Sequence, residues 1–221
     1  MAKEVLYVVV VAAAYTVGRA FLQTRSAAGA ECSRHAIATL TAFALIAATS
    51  VLQFVYPSML AALRRDTAAV VRGEPWRLVT ALCVQDGGVA GTVFNLAALL
   101  LIGMIAERMF GTRRWIVVFA VGAVLSEIVA LRWQPVGAGN SVGNFSLAGA
   151  ICVWCLSRKP NSPVAATALL PIVAGTMLLV MRDIHGAAIG IGGILGASPI
   201  VTSRGTAGPA SSAPSESFHR R

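Results

Sequence analysis

The chain has 221 residues, of which 57% are hydrophobic and only 12% charged, where an ordinary soluble domain carries about 25% charged residues. So few charges cannot cover a water-soluble surface of this size, which excludes a soluble globular protein and calls for a bilayer as solvent. Lys and Arg outnumber Asp and Glu by 18 to 9, a net charge of +9, but the basic residues sit between long apolar runs and not on one face, which argues against a nucleic-acid module and for loops flanking membrane spans.

A spanning helix needs about 20 mostly apolar residues, and seven segments come near that length. In chain order they are Val5–Leu22, Ala36–Tyr56 (closed by Pro57), Gly87–Ala106, Trp115–Leu131 (with Glu127 inside it), Val136–Leu156, Pro163–Met181 and Ile184–Val201. The first lacks a clean small-residue cleavage site after its apolar part and is expected to stay in the mature protein. The residues from Thr202 onward are rich in Ser, Ala, Gly and Pro and read as a disordered tail.

Loop charge sets orientation. With seven spans, the segments holding Arg25 and Arg34, Arg108 with Arg113 and Arg114, Arg158 with Lys159, and Arg204 with Arg220 and Arg221 all fall on one side. That side, with the C-terminus, is expected to be cytoplasmic, and the membrane to be the plasma membrane. One loop disagrees: residues 57–86 should lie outside, yet hold Arg64, Arg65, Arg72 and Arg77.

Polar groups within spans are functional candidates. Of three histidines, His35 sits at a span edge and His219 in the tail. Only His185 adjoins membrane-embedded sequence, opening a helix whose glycines and alanines permit close packing. Ser141 follows Gly137 and Gly139 at the start of the fifth segment, so the topology brings one Ser and one His to similar depth on two small-residue helices. A hydroxyl becomes a nucleophile when a base takes its proton, and a helix N-terminus favours an oxyanion beside it. Asn95, in the outer half of the third segment, either supplies an amide donor to that oxyanion or joins helices. Glu127 is either neutral and hydrogen-bonded or paired with Arg132. Cys152 and Cys155 have redox-motif spacing, but lie in the inner half of a span, on the reducing side. Cys32 and Cys83 fall on opposite sides and make no disulfide framework.

From Gly73 to Gly196 the chain resembles the rhomboid intramembrane serine proteases. Gly73-Glu-Pro-Trp76-Arg77 is similar to that family's Trp-Arg loop, where Trp76 and Arg77 would have a structural role. Asn95 matches the Asn of HxxxN, and Gly103, Glu107 and Gly111 match positions at the inner end of that helix. Gly139-Asn-Ser141 matches the start of GxSG, with Phe145 and Gly149 four and eight residues on. His185, Ala188 and Gly192 match the last core helix.

The resemblance implies an all-α, polytopic transmembrane bundle. Residues 1–35 would be an extra N-terminal transmembrane helix and cytoplasmic loop, 36–201 a six-helix membrane domain and 202–221 the tail. It implies a Ser141–His185 dyad without an acidic third member, an oxyanion held by the Ser141 N–H and Asn95, and no metal or cofactor. The partners would be the lipid bilayer and transmembrane proteins, cleaved as substrates or, in a catalytically inactive relative, bound as clients. Two positions depart from the pattern. Gly91 stands where HxxxN has His, and Val142 where GxSG has its second Gly.

Overall fold

The chain's backbone polar groups have no water to bond inside a bilayer, so the apolar segments satisfy them internally as helices. The computed structural model describes residues 2–28, 36–158 and 163–198. Long helices α1 (Ala2–Ala27) and α2 (Ile37–Val55) come first. A connection follows that holds α3 (Ser58–Leu63), strand β1 (Arg65–Asp66), α4 (Thr67–Val71) and α5 (Arg77–Thr80). Then come α6 (Gly88–Phe110), α7 (Thr112–Ile116), a π-helical stretch (Val117–Val121), α8 (Gly122–Trp133) and strand β2 (Val136–Gly137). The last three helices are α9 (Ser141–Arg158), α10 (Pro163–Val180) and α11 (Ile184–Ala197).

Each predicted apolar segment overlaps a helix among the described residues. By length and composition, α1, α2, α6 and the run Thr112–Trp133 are able to cross a membrane, while the apolar stretches of α10 and α11 are shorter. The protein is an all-α, multi-pass integral membrane bundle. The fifth segment begins later than predicted. Val136 and Gly137 form β2 and pair antiparallel with Asp66 and Arg65, and helix starts only at Ser141. Hydropathy does not separate an apolar turn from a helix, whereas Pro135 and three Gly or Asn residues between 137 and 140 favour the turn. The end of the seventh predicted span, the tail from Thr202, His35, Cys32, Arg34 and Lys159 lie outside the described residues.

Helix α9 is the axis of the bundle, packed by α1, α6, α8, α10 and α11. Its seam with α11 is backbone against backbone. A Cβ on Gly149 would strike the Ile189 carbonyl, one on Gly192 the Ser146 carbonyl, and one on Gly196 the Ala150 Cα at 2.7 Å. Gly192→Ala is therefore expected to destabilise the fold by about 1–3 kcal/mol through overpacking. Gly190→Ala, with open space around that Cβ position among the described residues, is expected to leave thermal unfolding unchanged or slightly raised. Equal melting of the two variants would remove the seam as a structural determinant.

At the opposite end of the bundle from Ser141, Glu107 caps α2. Its buried carboxylate accepts the Ala38 and Thr39 backbone N–H groups (3.0 and 2.8 Å) and the Thr39 and Thr112 hydroxyls (2.8 and 2.7 Å). Ala36, at the helix start, has no side chain able to do this.

Candidate active site

The N-terminal ends of α1, α6, α9 and α11 meet at one end of the bundle around a cavity of about 570 Å³, with Tyr7, Gly91, Asn95, Ser141, Val142 and His185 on its walls. The turn into α9 fixes the serine. Gly139 has φ of +146°, a conformation L-residues rarely adopt, and its N–H donates to the Ala81 carbonyl at 2.9 Å. The next N–H back, that of Ala138, donates to Asp86 at 2.8 Å. Ser141 thus becomes the first helical residue of α9, where backbone N–H groups lack intrahelical acceptors.

Ser141 Oγ lies 2.9 Å from His185 Nε2, so the two residues singled out from sequence meet at hydrogen-bond distance. A carboxylate, which the expected two-residue arrangement did not include, also contacts the ring. His185 Nδ1 lies 2.7 Å from Asp183 Oδ1, and the same oxygen accepts the His185 backbone N–H at 3.1 Å as the N-cap of α11. Local backbone geometry puts the carboxylate there. Helix α10 ends in a Schellman arrangement, with the Asp183 N–H on the Leu178 carbonyl and the Arg182 N–H on that of Leu179. Arg182 occupies the left-handed position (φ 53°) where Gly is usual. Burial by itself raises the Asp183 carboxyl, but His185 and the Lys3 ammonium outweigh it and hold this group well below the usual carboxylate range. An ionised Asp183 only accepts, so Nδ1 carries the proton and the Nε2 lone pair faces Ser141.

The imidazole packs against two rings that also touch each other, Tyr7 at 4.5 Å and Phe145 at 4.7 Å between centroids. Asn95 Nδ2 donates to Gln85 Oε1 at 2.8 Å, and Gln85 Nε2 donates to Asn140 Oδ1 at 2.9 Å. Gln85 is itself fixed to α2 by a reciprocal pair of bonds with Gln53 (2.7 and 2.6 Å). A point one bond off the Gly139 Cα lies 3.2 Å from Asn95 Nδ2 and 3.5 Å from Ser141 Oγ, so the amide and the hydroxyl face one small volume. Around Gly91 no described atom lies within 4 Å of a built Cβ, so the position where the motif has His is open cavity. Val142 is buried, and it does not part Ser141 from His185.

Glu127 pairs with Arg65, not with Arg132. Both groups are almost wholly buried, and the Arg65 guanidinium also donates to the Gln134 carbonyl (2.6 and 3.1 Å). This pair ties β1 to α8 and the turn before β2. Arg77 braces the same connection through Glu74 (2.6 Å) and the carbonyls of Ala61 and Arg64, while Trp76 is half exposed beside it. Cys152 and Cys155 are buried and do not line the cavity.

Sequence reasoning missed Asp183, Tyr7, Gln85 and Asn140. Asp183 was open to detection as a helix N-cap two residues before the histidine. Tyr7 carries no local signal, because it reaches Asp183 across 176 positions.

The family model of the Rhomboid domain matches residues 72–200. The chain is 29% identical over 96 residues to Rhomboid protease GluP of Bacillus subtilis, covering 43% of this chain and 19% of that protein. It is 28% identical over 87 residues to Rhomboid-like protease 3 of Toxoplasma gondii, covering 36% of this chain and 33% of that one. The matched part therefore spans a third or less of these two relatives. No solved structure matches the chain.

Proposed function

The chain belongs to the rhomboid family, and from that premise we propose that it is an intramembrane serine protease cleaving peptide bonds in or near the transmembrane segments of other membrane proteins. The observation that carries this reading is the 2.9 Å approach of Ser141 Oγ to His185 Nε2, with Asp183 on the far side of the ring. Ser141 Oγ attacks the scissile carbonyl carbon and its proton passes to His185 Nε2. The Ser141 N–H and Asn95 Nδ2 stabilise the oxyanion, Asp183 stabilises the imidazolium, and His185 then protonates the leaving amine. Water, activated by the same imidazole, hydrolyses the acyl-enzyme and frees Ser141. The catalytic face is the outer one and the C-terminus is cytoplasmic in this reading, and the substrates are membrane proteins held in the same bilayer.

A reading as a catalytically inactive, client-binding relative draws on Gly91 and Val142. Neither residue separates the serine from its base, so the hydrolytic reading is preferred. A serine-directed fluorophosphonate is expected to label the full-length protein once, with labelling lost in Ser141→Ala and retained in Ser146→Ala. Label that survives Ser141→Ala, or none on the unsubstituted protein, would leave client binding as the function.

A further inference from the structure

The Asp183 carboxylate is 1% exposed, and a buried charge needs donors on both oxygens. Its Oδ1 is served by α11, through the His185 backbone N–H and Nδ1. Its Oδ2 is served by α1 alone among the described residues: the Tyr7 hydroxyl donates at 2.8 Å and the Lys3 ammonium lies at 3.0 Å. Tyr7 acts twice, because its ring also packs on His185 and meets Phe145 edge-on at 5.4 Å. Helix α1 precedes the region matched by the family model, residues 72–200.

We infer that α1 is a working part of the catalytic centre, with Tyr7 and Lys3 as positioning residues that clamp Asp183 and, through it, hold His185 in register with Ser141. The inference rests on the proteolytic reading for its effect on rate, but the clamp itself is a property of the folded chain. One oxygen of the carboxylate is oriented by the helix that bears the histidine. The other is oriented by a helix more than 150 residues away in sequence. Removing the second set leaves a buried carboxylate with donors on one side, free to rotate about its Cβ–Cγ bond and to loosen the imidazole.

The variants that test this are Tyr7→Phe, which keeps the ring packing and removes only the hydroxyl, Lys3→Met, their double variant, and Lys3→Arg as the conservative replacement. In cleavage of a fluorescent transmembrane peptide in liposomes, Tyr7→Phe and Lys3→Met are each expected to lower kcat about tenfold with KM unchanged. The double variant should fall below either, and Lys3→Arg should recover most of the rate. The second readout is independent of turnover. In a background of His35→Gln and His219→Gln, His185 is the one remaining histidine, and ¹⁵N-histidine NMR of the full chain in nanodiscs should show a low-field, exchange-protected Nδ1 proton. That resonance is expected to broaden or vanish in the double variant. Its absence without the α1 substitutions, or its persistence in the double variant together with an unchanged kcat, overturns the clamp. A protein that shows the resonance with this dependence yet cleaves nothing supports the clamp and removes the protease reading instead.

Discussion

Ser141→Ala and His185→Ala are each expected to lower cleavage of a transmembrane test substrate by about 10⁴–10⁶-fold, and the double variant is expected to be no worse than either alone. The reason is that the proposed nucleophile and base act as one unit. Without Oγ there is nothing for the imidazole to deprotonate, and without the imidazole the hydroxyl stays a weak nucleophile. What remains is the contribution of the oxyanion donors and of substrate positioning. Ser141→Ala is a clean test because the hydroxyl's hydrogen bond is to His185 Nε2, so thermal unfolding should be unchanged. Residual cleavage by both single variants at the level of the unsubstituted protein would reject Ser141 and His185 as the machinery.

The second large effect falls on a residue the motif comparison does not mark. Asp183→Asn is expected to reduce kcat by about 10²–10⁴-fold while leaving KM and folding nearly intact. An asparagine side chain caps a helix as well as an aspartate does, so the bond to the His185 N–H survives the change. What changes is the charge beside the ring. With its one oxygen still on the His185 N–H and Nδ1, the amide is neutral and no longer stabilises the imidazolium that forms as Ser141 gives up its proton. Its NH2 group is turned toward the Tyr7 hydroxyl and the Lys3 ammonium, which have lost their acceptor. The rate of fluorophosphonate labelling should fall with kcat. An Asp183→Asn variant as fast as the original would leave a two-residue machinery and reduce Asp183 to a helix cap.

The sequence made α9, α11 and the meeting of Ser141 with His185 legible because both helices are written in small residues. Gly149, Gly192 and Gly196 are needed where the two backbones touch, and that need appears as composition. The acid on the other side of the ring was harder to see, since an Asp before a helix reads equally as a cap, and here it is both. Contacts of long sequence separation left no local trace, which is why Tyr7 with Asp183 and Arg65 with Glu127 became visible only in three dimensions. The same blindness explains the loop that disagreed with the charge rule. Two of its four arginines are used structurally, Arg65 in a buried pair with Glu127 and Arg77 as a brace to Glu74 and two carbonyls. A count of positive charge treats them as topology signals, although they are internal fasteners.

The glycine seam also constrains traffic. With carbonyls of one helix seated against the α-carbons of the other at Gly149 and Gly192, α9 and α11 are in backbone contact, and a polypeptide has no route between them. In the proteolytic reading, a strand arriving at the hydroxyl has to pass by parting the remaining walls, formed by the first turns of α6 and the bend at 134–139, since the first turns of α1 are tied to Asp183. The half of the pocket that carries the reactive pair then behaves as a fixed anvil, and the opposite half is where movement, and with it the choice of what is admitted, has to occur.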